Sequence, residues 1–144
     1  MGAQDASHIE SAETIAAGLD ENDYFDMRVW FEFDSAELTP NAYIALDELG
    51  EAINTNNLFD FGFRLEGHAD ATGTEGYNQS LSTRRAASVK DYLINSYGIE
   101  AHRLESIGFG ESQLAAPNDP EGAINRRVRV VKLNRLAEIP FAGL

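Results

Sequence analysis

Cysteine is absent from this 144-residue chain. A disulfide scaffold, a thiolate zinc site and a cysteine nucleophile are thereby excluded. The redox compartment stays open, because exported proteins can also dispense with cysteine. Basic residues are scarce: 11 Lys and Arg stand against 24 Asp and Glu, a formal net charge of -13. Binding to duplex nucleic acid needs a basic footprint over the phosphates, so the balance argues against a nucleic-acid partner. The shortage is complete at the start, where Asp5, Glu10, Glu13, Asp20, Glu21, Asp23 and Asp26 all precede the first basic residue, Arg28. Such a charge run reads as solvated surface. No apolar run approaches the roughly 18 residues of a membrane-spanning helix. The opening Met-Gly-Ala-Gln lacks the basic and apolar regions of a secretion signal. Membrane attachment is therefore expected only through a segment absent from this chain. Internal repeats and low-complexity tracts are lacking too.

What is present suffices for one domain with a full core. The apolar fraction is 43%, and aromatics make up 10%, a globular balance. Ile9, Ala12, Ala16 and Leu19 have helical spacing within an acidic leader or linker, residues 1–27. Val29, Phe31 and Phe33 alternate with Trp30 and Glu32, which predicts the first strand. Thr39-Pro40 is a helix start, with Ala42, Leu46, Leu49 and Ile53 along one face. Phe61, Phe63 and Leu65 predict a second strand that runs into Gly67-His68-Ala69-Asp70. A long helix follows over 74–97, with Ala86, Val89 and Leu93 inward and Gly98 as its C-cap. Arg103–Ile107 reads as a third strand, and Val128, Val130 and Val131 belong to a last one. The order is β-α-β-α-β-β, an α/β arrangement in two layers. The core domain is placed at 28–133, followed by a tail, 134–144, without clear period.

Polar chemistry is densest from Gly67 to Gly73, and continues at Asn78, Arg84 and Arg85. Asp70 falls at a strand end. Asn78 and Arg85 lie about two helical turns apart with Leu81 between them on nearly the same side. A helix beside that strand end would turn Arg85 and Asn78 toward Asp70, and Asp34 would join them if the first two strands are neighbours. A carboxylate and a guanidinium held apart in one pocket suit a zwitterion. The same two residues would equally make an internal salt bridge that pins the helix.

The runs Gly67-His68-Ala69-Asp70 and Tyr77-Asn78-Gln79-Ser80-Leu81-Ser82-Thr83-Arg84-Arg85-Ala86 resemble the signature of OmpA-like peptidoglycan-binding domains. So do Phe33-Asp34-Ser35-Ala36-Glu37-Leu38, Arg103-Leu104, Gly108-Phe109-Gly110-Glu111 and Asn125-Arg126-Arg127-Val128, in the family's order, over about 28–133. The resemblance implies a mixed sheet with helices packed on one face. It implies non-catalytic binding of the peptide stem of peptidoglycan, in the Gram-negative periplasm beside the outer membrane or wall. Asp70 would then meet the ammonium of meso-diaminopimelate, and Arg85 the adjacent carboxylate. Asn78, Leu81, Asp34 and Thr72 fall at positions that line this pocket in relatives, and Arg127 falls beside it. Ala69 departs from the threonine usual in the family. Neither a cofactor nor a metal is implied, and homodimerisation is left open. The same grip would serve a motor stator or another envelope-tethering complex.

Other chemistries find less support. A peptidoglycan hydrolase needs paired carboxylates at set distances, or a nucleophile or metal with an oriented base, and no such set assembles from this sequence. His8, His68 and His102 form no metal-binding spacing. The run Asp70–Glu75 faintly suggests a calcium loop but lacks the ligand series of an EF-hand. Alternation puts Arg127 and Arg129 on one strand face, where they read as surface balance against the acidic remainder.

Overall fold

The computed structural model describes residues 9–135. Helix α1 (Ala12–Glu21) starts at Ser11, whose side chain accepts the Thr14 N–H. Strand β1 (Tyr24–Met27) follows, then α2 (Pro40–Ile53), β2 (Phe61–His68), α3 (Glu75–Tyr97), β3 (Leu104–Gly110) and β4 (Arg127–Arg135). Threonines cap the two longer helices: Thr39 accepts from Ala42 N–H and Thr74 from Tyr77 N–H, the role short hydroxyl side chains play at orphan helix donors. Gly98 ends α3 in the left-handed region at φ 63°, where a Cβ would be strained.

The sheet order is β1-β4-β2-β3. β4 runs antiparallel to both neighbours. β2 and β3 are parallel, as a strand–helix–strand crossover through α3 requires. The sheet is mixed, with the three helices packed on one face. On that face Phe63 and Leu65 of β2 and Val128 and Val130 of β4 meet Ile15, Leu19, Leu46, Leu49, Val89 and Leu93 from the helices. Two glycines let α3 lie close: a Cβ on Gly67 would stand 2.4 Å from the Ser82 carbonyl oxygen, and one on Gly108 2.3 Å from the Thr83 amide nitrogen. The opposite face carries charge, with Arg64, Glu66 and His68 joined along β2 and Arg129 of β4 bound bidentately to Asp26 of β1. β2 ends, and β4 begins, at the same end of the sheet, where His68 pairs with Arg127. At the far end Tyr24 starts β1 and Arg135 closes β4.

One expectation changes: the first strand is Tyr24–Met27, not Val29–Phe33. The segment after it makes one isolated bridge, Phe31 with Leu38. Its carbonyls are taken by side chains instead: Thr39 Oγ1 donates to Trp30, Arg85 to Glu32 and Ser35, and Ser88 to Ala36. A carbonyl so occupied is diverted from a sheet ladder, and Phe33 is 92% exposed. Ala12, Ile15, Leu19 and Met27 are buried in the main cluster, and the Ala12 N–H donates to Glu48 of α2 at 2.7 Å. The helix foreseen in the leader exists, and its inner residues pack into the same core cluster as the sheet. The expected tail lies mostly outside the described residues.

Candidate functional site

An open pocket of about 280 Å³ sits where β2 gives way to the loop before α3. Asp70, Thr72 and Ala69 come from that loop, Tyr77, Asn78, Leu81 and Arg85 from the first turns of α3. Arg28 to Phe31, Phe33 and Asp34 supply the opposite wall, and Ala123 and Arg126 the lip before β4. The loop is fixed by its backbone. Ala69 N–H donates to Gly110 at 2.7 Å and Ala71 N–H to Pro120 at 2.8 Å. Asn78 of α3 reaches back, donating to the Asp70 carbonyl at 3.2 Å and to Glu111 at 2.8 Å. The buried amide of Asn78 thus ties the helix to both loops.

Asp70 is buried, 6% exposed. Burial opposes its ionisation, but the Thr72 N–H at 2.8 Å, the Thr72 hydroxyl and Arg126 outweigh it and hold the carboxyl below the ordinary range. Its ion-pair partner is Arg126, not Arg85. Arg85 is engaged differently. Its Nε donates to the Ser35 carbonyl at 2.8 Å and Nη2 to the Glu32 carbonyl at 3.0 Å, and the guanidinium lies 4.8 Å over the Phe31 ring. Burial lowers its pKa below the usual arginine value, although arginine stays a cation at these values. The two charges expected to face a ligand therefore share one pocket without being spent on each other. The Tyr77 hydroxyl donates to Asp34, which raises the phenol's pKa. Asp34 holds a left-handed φ of 56°, a conformation short polar side chains tolerate.

The pocket brings together Asp70, Arg85, Asn78, Asp34, Leu81 and Thr72. Arg127 does not line it but stands beside it, sharing a smaller neighbouring cavity with Arg85 and Arg126; 9% exposed, it donates to the carbonyls of Gln113 and Asn125 and lies 3.5 Å from Asp26. Arg126, not singled out from the sequence, lines the pocket itself. The strand period held the signal. If Arg127 shares a face with Arg129, its neighbour Arg126 must point to the helix side, where the pocket lies. His68 is outside the pocket; it is buried against Glu66 at 3.1 Å and stacked on Phe109 at 5.3 Å, and burial lowers its pKa. Among the described residues no cluster of three or more His, Asp or Glu is placed to hold a metal ion.

Residues 30–127 match the OmpA family. The chain is 42% identical over 119 residues to outer membrane porin F of Pseudomonas aeruginosa, covering 81% of this chain and 31% of the porin. It is 33% identical over 104 residues to the peptidoglycan-associated lipoprotein of Rhizobium meliloti, covering 72% and 57%. The chain thus spans well under two thirds of the length of these relatives. Among solved structures, the OmpA-like domain of FopA1 from Francisella tularensis superposes with a TM-score of 0.62 at 25% identity, over 77% of this chain and 75% of that one. With the matched segment running from the pocket wall at Trp30 to the start of β4, the chain belongs to the OmpA family.

Proposed function

We propose that the pocket binds the peptide stem of peptidoglycan through meso-diaminopimelate, without cleaving it, and so anchors an envelope protein to the cell wall. The observation that carries this reading is a pair of opposite charges not paired with each other: a buried, ionised Asp70 and a half-buried Arg85 lining one open cavity. Diaminopimelate ends in a centre bearing both an ammonium and a carboxylate. Asp70 receives the ammonium; Arg85 presents its remaining N–H groups to the carboxylate. Asn78 and Leu81 shape the wall between them. The relationship to a peptidoglycan-associated lipoprotein supports the wall as the partner, and outer-membrane relatives support the periplasmic side of the envelope as its place. A motor stator or other tethering complex would use the same grip.

Lysine-type stems end in an ammonium alone, which would leave the remaining N–H groups of the half-buried Arg85 without a carboxylate. A charge-assisted hydrogen bond contributes about 1.5–3 kcal/mol, so lysine-type wall should bind about tenfold or more weakly. Arg85→Ala and Asp70→Ala should each remove most binding while both variants remain folded. Sedimentation with the two wall types, beside circular-dichroism melts of both variants, separates this from a purely structural role. Equal retention on both walls, or undiminished binding by Arg85→Ala, would show that the pocket reads something else.

A further inference from the structure

Arg126 occupies the carboxylate that the reading above reserves for a ligand's ammonium. The contact joins Arg126 Nη1 to Asp70 Oδ2, while Oδ1 accepts the Thr72 N–H. The two pocket arginines are built differently. Arg85 is clamped by two backbone carbonyls and an aromatic ring. Arg126 has a fixed backbone and a side chain 47% in solvent. Its N–H closes on Ala123 at 3.0 Å. The preceding Asn125 is buried and pinned by Ala116 N–H and by the Asp119 carbonyl.

Resting on the diaminopimelate reading, we propose that Arg126 is the pocket's resident cation and a second specificity-determining residue. It sits on Asp70 in the empty site, yields to the incoming ammonium, and re-pairs with a carboxylate of the same stem. The charges require this accounting. Arg85 and Arg126 stand around Asp70, and Arg85 already feels Arg126 as a like charge. The lining holds Arg28, Arg85 and Arg126 against Asp34 and Asp70, so an ammonium that takes Asp70 adds to an excess that is already positive. A ligand bringing carboxylates restores the balance, whereas a lone amine does not. Arg126 therefore penalises amine-only ligands twice, by competing for Asp70 and by remaining unpaired afterwards.

The test is calorimetry with two tripeptide stems that differ only in diaminopimelate or lysine. Wild type should prefer the diaminopimelate stem. Arg126→Ala and Arg126→Gln should bind the lysine stem about fivefold more tightly than wild type does, a charge-assisted contact discounted for its exposure, and so narrow the preference by at least that factor. Arg126→Lys, which keeps the cation, should retain most of the preference. Thermal melts confirm that each variant is folded; a poorly folded alanine variant leaves the glutamine and lysine pair to decide. If the neutral variants weaken both stems equally, or leave the preference unchanged, Arg126 only orients Asp70 and the proposal is wrong. If wild type itself shows no preference, the diaminopimelate reading fails first and this proposal with it.

Discussion

The carboxylate of Asp70 is out of water, yet a backbone N–H, a hydroxyl and a guanidinium keep it charged. That has a signed consequence in acid. A carboxyl whose folded pKa is depressed contributes stability that is fully present above its unfolded value, near 3.8, and is lost as pH falls through the lower folded value. Wild type should therefore exceed Asp70→Asn in stability at pH 5 and above, by about 1 kcal/mol, because the partner guanidinium is half in solvent. The difference should close only below the ordinary carboxylate range. Melts of the two proteins from pH 2 to 7 would check this; a difference already gone at pH 5 would contradict the depressed value. Residue types and spacing made most of this site legible. Asp70, Asn78, Leu81 and Arg85 could be placed from a strand end and a helical period alone. The partner, Arg126, was legible only indirectly, through the alternation that sets Arg127 with Arg129 on the opposite face.

At the level of elements, the site depends on how closely α3 approaches β2 and β3. Gly67 and Gly108 set that distance by having no side chain. Gly67→Ala puts a methyl against the Ser82 carbonyl, so α3 must move outward, at a cost of about 1–3 kcal/mol for overpacking. Asn78, Leu81 and Arg85 ride on that helix, so stem binding should fall further than stability does. Gly98→Ala is the contrast. It strains the left-handed cap of α3 at the far end and should cost about 1 kcal/mol with binding unchanged. Equal binding losses for the two variants, measured beside their melts, would mean that helix seating does not govern the site. The helices were legible because their caps are local: Thr39-Pro40, Thr74 and Gly98 mark their own ends. The strand misread at Val29–Phe33 has the alternation of a strand, but its carbonyls answer to Arg85, Thr39 and Ser88 from elsewhere in the chain. No period within one segment reports competition of that kind. The helix in the acidic leader was legible from its spacing, and Ala12 and Leu19 of the stripe read there reach the core beside Ile15.

Taken whole, the molecule presents the Asp70–Arg85 pocket at one end of an open sheet, and among the described residues no helix long and apolar enough to cross a membrane. Binding without turnover is the corresponding expectation. Incubated with purified peptidoglycan, the protein should sediment with the wall and release no soluble muropeptides above a buffer control; fragments that appear in proportion to protein would overturn the non-catalytic reading. The placement of that pocket also bears on force. Asp70 lies at the end of the sheet where β2 finishes, whereas β1 starts and β4 finishes at the other. If the wall is gripped at that pocket, tension applied to β4 at Arg135 would act along the strands. Hydrogen bonds between antiparallel strands lie across that direction, so the rungs joining β4 to β1 and β2 are loaded side by side in shear. They must give way together, not one after another as when a hairpin is peeled open, and a domain held in this orientation resists tension with the whole length of its ladder.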